Sequence, residues 1–90
     1  MSARTSGRAY RARITVTLRT SILDPQGKAI HHALESLGIA SVGDVRLGKY
    51  IEMTLTSPTK GEAERAAGEA CARLLANPVM EDYSFTIEEL

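Results

Sequence analysis

The chain has 90 residues, 11 basic against 11 acidic, with 43% apolar residues and only 4% aromatics. That is room for one domain with a modest core of aliphatic side chains and alanine, and the balanced charge gives no field that would gather nucleic acid or an anionic membrane. A single cysteine excludes an internal disulfide and no apolar run approaches the roughly 20 residues of a membrane helix, so a cytoplasmic location is expected.

Residues 1–10 carry Arg4 and Arg8 among small polar residues without the apolar stretch of a secretory signal. They are expected to be a disordered tail ahead of one domain over residues 11–90. From Arg11 to Thr20 the pattern alternates, with Ala12, Ile14, Val16 and Leu18 on one face and Arg11, Arg13, Thr15, Thr17 and Arg19 on the other, which predicts a half-buried strand. A helix opens at Asp24-Pro25, where the carboxylate can cap it and proline fits the first helical position. Ala29, Ile30, Ala33, Leu34 and Leu37 then form one stripe that Gly38 can end in the left-handed conformation, so this helix is expected to pack on the sheet. Gly27 in its first turn costs about 1 kcal/mol against alanine and needs a reason other than helix stability. His31 and His32 point about 100° apart and do not converge on an ion; His31 and Glu35 read as an i, i+4 surface pair.

Val42 to Thr56 reads as a long extended stretch with Val45, Leu47, Ile51, Met53 and Leu55 on odd positions. Gly48-Lys49 interrupts it, with Lys49 in an inward slot, and predicts a bent strand or two short ones with a bulge or a close backbone approach at Gly48. Tyr50 and Glu52 are neighbours on the polar face. Thr59 and Glu62 have the spacing of a capping box, and Ala63, Ala66, Ala67, Ala70, Cys71, Leu74 and Leu75 make the apolar stripe of a second helix. Cys71 lies within that stripe as a small core hydrophobe. Asn77-Pro78 ends the helix, and a last strand from about Met80 to Ile87 turns Tyr83, Phe85 and Ile87 to one side.

The order strand, helix, long bent strand, helix, strand predicts a small α+β two-layer sandwich related to the ferredoxin-like type, both helices on one face of a mainly antiparallel sheet. Exposed edges on so short a chain favour a homodimer or homotetramer. No phosphate-cradling glycine loop, no nucleophile beside a base and no metal-ligand cluster stands in the sequence, and Tyr50 alone makes no stacking platform for RNA. From the residues alone, a binding or structural module results, one version of which is a stand-alone dimeric regulatory module that holds a small metabolite between paired sheets.

Three stretches exceed what turn and helix propensities ask for: Leu23-Asp24-Pro25-Gln26-Gly27-Lys28-Ala29, Asp44-Val45-Arg46-Leu47-Gly48-Lys49-Tyr50-Ile51-Glu52, and Leu74-Leu75-Ala76-Asn77-Pro78-Val79-Met80-Glu81-Asp82-Tyr83. In this order and spacing, over about residues 12–88, the chain resembles the PurS family, the small subunit of phosphoribosylformylglycinamidine (FGAM) synthase. It departs at Thr20-Ser21, where a lysine–glycine-type pair is commoner, and in its longer N-terminal segment. The resemblance implies a non-catalytic subunit with no cofactor of its own. It would bridge a PurQ-type glutaminase that releases ammonia and a PurL-type synthetase that uses ATP and Mg²⁺. The implied reaction converts formylglycinamide ribonucleotide, glutamine, ATP and water to FGAM, glutamate, ADP and phosphate, in purine biosynthesis. The motif residues Asp24, Gln26, Gly27, Gly48, Lys49, Tyr50, Glu52, Asn77, Glu81 and Asp82 are then the candidates for partner docking or dimer contact.

Overall fold

Strand β1 (Arg8–Leu18) runs through the middle of a three-stranded antiparallel sheet of order β2-β1-β3, flanked by β2 (Gly48–Ser57) and β3 (Glu81–Glu89). The structure, a computed structural model, describes residues 7–90. The proposed tail therefore lies outside the described residues over 1–6, whereas Arg8–Tyr10 belong to β1 and Tyr10 is a buried core residue. The inward alternation carries two residues further toward the N-terminus than the charge pattern suggested.

One face of the sheet is packed. Tyr10, Ala12, Ile14 and Val16 of β1 and Ile87 of β3 meet Ala63, Ala67 and Cys71 of helix α2 (Lys60–Ala70, prolonged by a π-type turn over Cys71–Leu75), with Ala76 beside them. Small alanines at the contact let the helix axis approach the strands, and Ile51, Met53, Leu55, Leu75 and Phe85 close the margins. Thr59 caps α2, its Oγ1 accepting from Glu62 N–H at 3.2 Å, as the capping-box spacing predicts. In the final turn the hydrogen bond widens to Ala76 N–H···O=C Cys71, 3.0 Å, and the extra residue rotates the stripe. Leu74, expected in the core, is consequently 81% exposed, and Ala76 is buried in its stead.

Burial also acts on Cys71, raising its thiol pKa above the ordinary 9.0. We expect native Cys71 to resist an aromatic disulfide reagent at pH 8 and to react fully once the chain is unfolded in guanidinium; a fast native reaction would show that the helix lifts off the sheet.

The first helix departs from expectation. Helix α1 (Pro25–Ser36) forms where its caps predict, but its apolar stripe is not buried on the sheet: Ala29, Ile30 and Ala33 are exposed and Leu34 is only half-buried. Leu37, which ends it, is 74% exposed. The helix is an arm on the end of the sandwich, and only α2 covers the sheet. The molecule measures 58 × 26 × 19 Å with a Cα radius of gyration of 17.8 Å, where a compact chain of this length would have about 12 Å.

The long bent middle strand is likewise corrected. Residues 42–47 are irregular, β2 begins at Gly48, and its pairing with β1 runs without a bulge from Arg8↔Ser57 to Thr17↔Gly48. Of the two readings of Gly48, the close approach holds: a Cβ there would stand 2.5 Å from the Val16 carbonyl oxygen and 2.9 Å from Thr17 Cγ2. Among the described residues no helix is long and apolar enough to cross a membrane.

Candidate functional site

The Asp24 junction folds as it does because two loops need each other. Asp24 is 4% exposed. One carboxylate oxygen, Oδ1, accepts from Gly27 N–H at 2.9 Å and caps α1; the other, Oδ2, accepts from Leu47 N–H at 2.7 Å, across 23 residues of sequence. Gly27 is buried against that second loop: a Cβ at this position would collide with the Val45 carbonyl oxygen and sit 2.8 Å from Asp24 Oδ2. Here is the reason for a glycine in the first turn. Between Val45 and Leu47, Arg46 reaches back, its Nη2 donating to the carbonyls of Arg19 at 2.7 Å and Ile22 at 3.0 Å, with Leu18 O at 3.5 Å. His31 adds a further tie from α1 to the same loop, its Nε2 2.8 Å from Val42 O, and it keeps the expected pair with Glu35 at 3.9 Å.

Two of the three motifs are thus one interlocked structure. The Leu47 and Gly27 N–H groups, with Arg46 nearby, hold the Asp24 carboxyl below its ordinary pKa of 3.8. Because the folded value lies below the unfolded one, the stabilisation is full above the ordinary carboxylate range and is lost as pH falls through the folded value. Parent chain should accordingly be more stable than Asp24→Asn at pH 7, and the gap should close below about pH 4; urea titrations of both proteins at a series of pH values check this, and a gap independent of pH would refute it.

The third motif joins at the same end of the sheet. Asn77 Oδ1 accepts from the N–H groups of Val79 at 2.9 Å and Met80 at 3.0 Å, and Glu81 answers with a carboxylate on Asn77 N–H at 2.7 Å. Arg19 ties this turn to β1, donating to Pro78 O at 2.8 Å and pairing with Asp82 at 3.4 Å. Lys49, on the inward side by parity but beyond the reach of α2, extends to Glu81 at 3.9 Å. Asp24, Gln26, Gly48, Lys49 and Glu81 consequently line one open cavity of about 250 Å³ together with Leu18 and Leu47.

Tyr50 and Glu52 do not join them. They lie on the open face of the sheet, where Tyr50 OH donates to Glu52 at 2.8 Å, a bond that holds the phenol above its ordinary pKa of 10.0. Arg13 of β1 stands between Glu52 and Glu88, at 3.8 and 2.5 Å. Cross-strand pairs of opposite charge of this kind support the sheet modestly. Arg13 and Arg19 were placed on the polar face of β1 from sequence, but without their carboxylate partners; Arg46 lay within a motif, but nothing local identifies carbonyls 24 and 27 residues away as its partners. Among the described residues no group of three or more His, Cys, Asp or Glu side chains could hold a metal ion. What the arrangement offers is a rigid, hydrogen-bonded corner with charged rims, and an arm carrying an uncovered apolar stripe.

Comparison with known proteins places this geometry. Residues 11–89 match the family model described as PurS: phosphoribosylformylglycinamidine (FGAM) synthase. The chain is 48% identical over 82 residues to the phosphoribosylformylglycinamidine synthase subunit PurS of Synechocystis, covering 91% of this chain and 82% of that one. It superposes on the Bacillus subtilis PurS structure with a TM-score of 0.79 at 44% identity, covering 89% of this chain and 99% of that one. It superposes on a chain of the Thermotoga maritima PurLQS structure with a TM-score of 0.80 at 33% identity, covering 91% and 98%. With three motifs meeting at one corner and a match over nearly its whole described length, the chain belongs to the PurS family, the PurS subunit of FGAM synthase.

Proposed function

We propose that this chain works as a homo-oligomeric, non-catalytic bridge in a cytoplasmic FGAM synthase, holding a PurQ-type glutaminase against a PurL-type synthetase so that ammonia from glutamine reaches the amidation site. The observation that carries this is the fit, at 33% identity and over 91% of the chain, to a subunit of an assembled PurLQS structure. The chain's own chemistry agrees with a bridging role: the motif carboxylates and cations hold turns and each other, in caps, ion pairs and loop contacts, rather than standing free around a substrate-sized enclosed pocket. ATP and Mg²⁺ fall to the synthetase partner.

The arm supports self-association. The chain exposes 6217 Å², where a compact protein of this mass exposes roughly 5,000 Å². The excess exceeds the roughly 800 Å² that each partner buries in a stable dimer. A helix of 12 residues is marginal in water by itself, which gives its apolar stripe reason to be covered by a second copy.

The test is glutamine-dependent synthase turnover in a mixture of the cognate large and glutaminase subunits, with and without this chain. Turnover should appear only on adding it, while ammonia-dependent turnover of the large subunit stays the same. Equal glutamine-dependent rates with and without the chain would overturn the bridging role and turn attention to small-metabolite binding by the isolated oligomer.

A further inference from the structure

The arm leaves the sandwich through a junction that is unusually well tied for a surface loop. Three acceptors of one loop are satisfied by the other, the Asp24 carboxylate by Leu47 N–H and the Arg19 and Ile22 carbonyls by the Arg46 guanidinium, while bare Gly27 leaves room for the Val45 carbonyl against the first turn of α1. Because α1 itself is not packed on the sheet, little besides this junction and the His31–Val42 bond fixes its direction. A lever held at one end transmits any looseness of its fulcrum to its tip. Arg46 Nη2 on the Arg19 carbonyl and Asp24 at the N-cap grip the chain on both sides of the turn Thr20–Leu23, and the Ile22 carbonyl within the turn is held by the same Nη2, so rotation about that turn breaks both sets at once.

We propose that Asp24 and Arg46 form a positioning latch that sets the angle of α1 to the sheet, and that this preset angle is what lets the chain self-associate tightly. The inference deepens the reading that α1 is the self-association surface. The latch contributes by holding a single arm direction before association, so that ordering the arm is not charged against binding.

Asp24→Asn separates the latch from the cap. Asparagine still accepts from Gly27 N–H, as a good N-cap residue, but its amide cannot satisfy both Gly27 and Leu47 N–H. Arg46→Ala removes the other half and leaves the cap untouched. Spin labels on Ser36→Cys, at the exposed end of α1, and Thr86→Cys, on the open sheet face, report the arm angle; both sites are exposed and buried Cys71 is left unlabelled. The labelled full chain is mixed with excess unlabelled chain, so that only distances within one copy are read by pulsed electron resonance.

The parent should give one narrow distance distribution, and each variant a distribution at least twice as broad, with the sheet's circular dichroism retained. Self-association measured by sedimentation should weaken at least tenfold in both. Equal widths in parent and both variants overturn the latch. Broadened distributions with unchanged self-association overturn its coupling to assembly; if Leu37→Glu then also leaves self-association unchanged, the failure belongs to the reading of α1 as the contact, and if Leu37→Glu abolishes it, the failure belongs to the latch.

Discussion

Replacing Gly27 by alanine should destabilise the folded chain by about 2 kcal/mol, as overpacking of a closed site does, which for a domain of this size lowers the melting temperature by roughly 10 °C. On helix propensity alone the same change would be worth a gain of about 1 kcal/mol. The sign is decided by the Val45 carbonyl oxygen and Asp24 Oδ2, both backed by hydrogen-bonded or main-chain atoms that have little room to yield to a methyl group. Gly68→Ala supplies the contrast. It lies within α2, and an added Cβ would meet only the Phe85 ring at 3.7 and 3.8 Å, ordinary contact, so this variant should gain about 0.5–1 kcal/mol. Thermal and urea unfolding of the three proteins at one chain concentration measures both effects, the fixed concentration being needed because an oligomer's stability depends on it. If Gly27→Ala matches or exceeds the parent, the close approach of the second loop is not present in solution.

Ile30→Glu and Leu37→Glu address the arm. Ile30 is 39% and Leu37 74% exposed in the single chain, so each substitution should alter the stability of an isolated copy by no more than about 0.5 kcal/mol. If the stripe is the contact between copies, the same substitutions place a charge in a desolvated patch and should weaken self-association by about 2 kcal/mol or more, roughly 30-fold. Sedimentation across a range of concentrations, beside circular dichroism to show the fold intact, reads both quantities. An oligomer that survives both glutamates would move the contact to the strand edges or the open sheet face.

The strands and caps were legible in sequence because their signals are local. Alternation from Ala12 to Val16 gave the buried side of β1, Asp24-Pro25 gave the start of α1, and Thr59 with Glu62 gave the start of α2. What failed depends on distant atoms. Val45 and Leu47 share the parity of Ile51 and Met53 and imitate a strand, but the pairing ends at Thr17↔Gly48, and the residues before Gly48 bond to the β1–α1 loop instead. The stripe on α1 reports that one face avoids water and does not report whether the cover is the chain's own sheet. Leu74 followed the period of an α-helix, and one widened turn moved it off the core. Among the site residues, the convergence of Asp24, Lys49 and Glu81 could not be read from spacing, although unexplained composition marked all three stretches. Tyr50 and Glu52 were correctly placed as neighbours, on a surface separate from that corner.

The sheet order has a bearing on how the chain acquires its structure. β1 is the central strand, yet its partners lie far downstream: Ile14 pairs with Ile51 on one side and with Phe85 on the other. Neither ladder is a hairpin, so both require the closure of long loops before any pairing returns free energy, and such non-local sheets fold on the millisecond-to-second scale rather than in microseconds. During synthesis β1 emerges before both partners, one edge open until β2 and the other until β3 has been made; that interval is when the nascent chain is most exposed to misassociation.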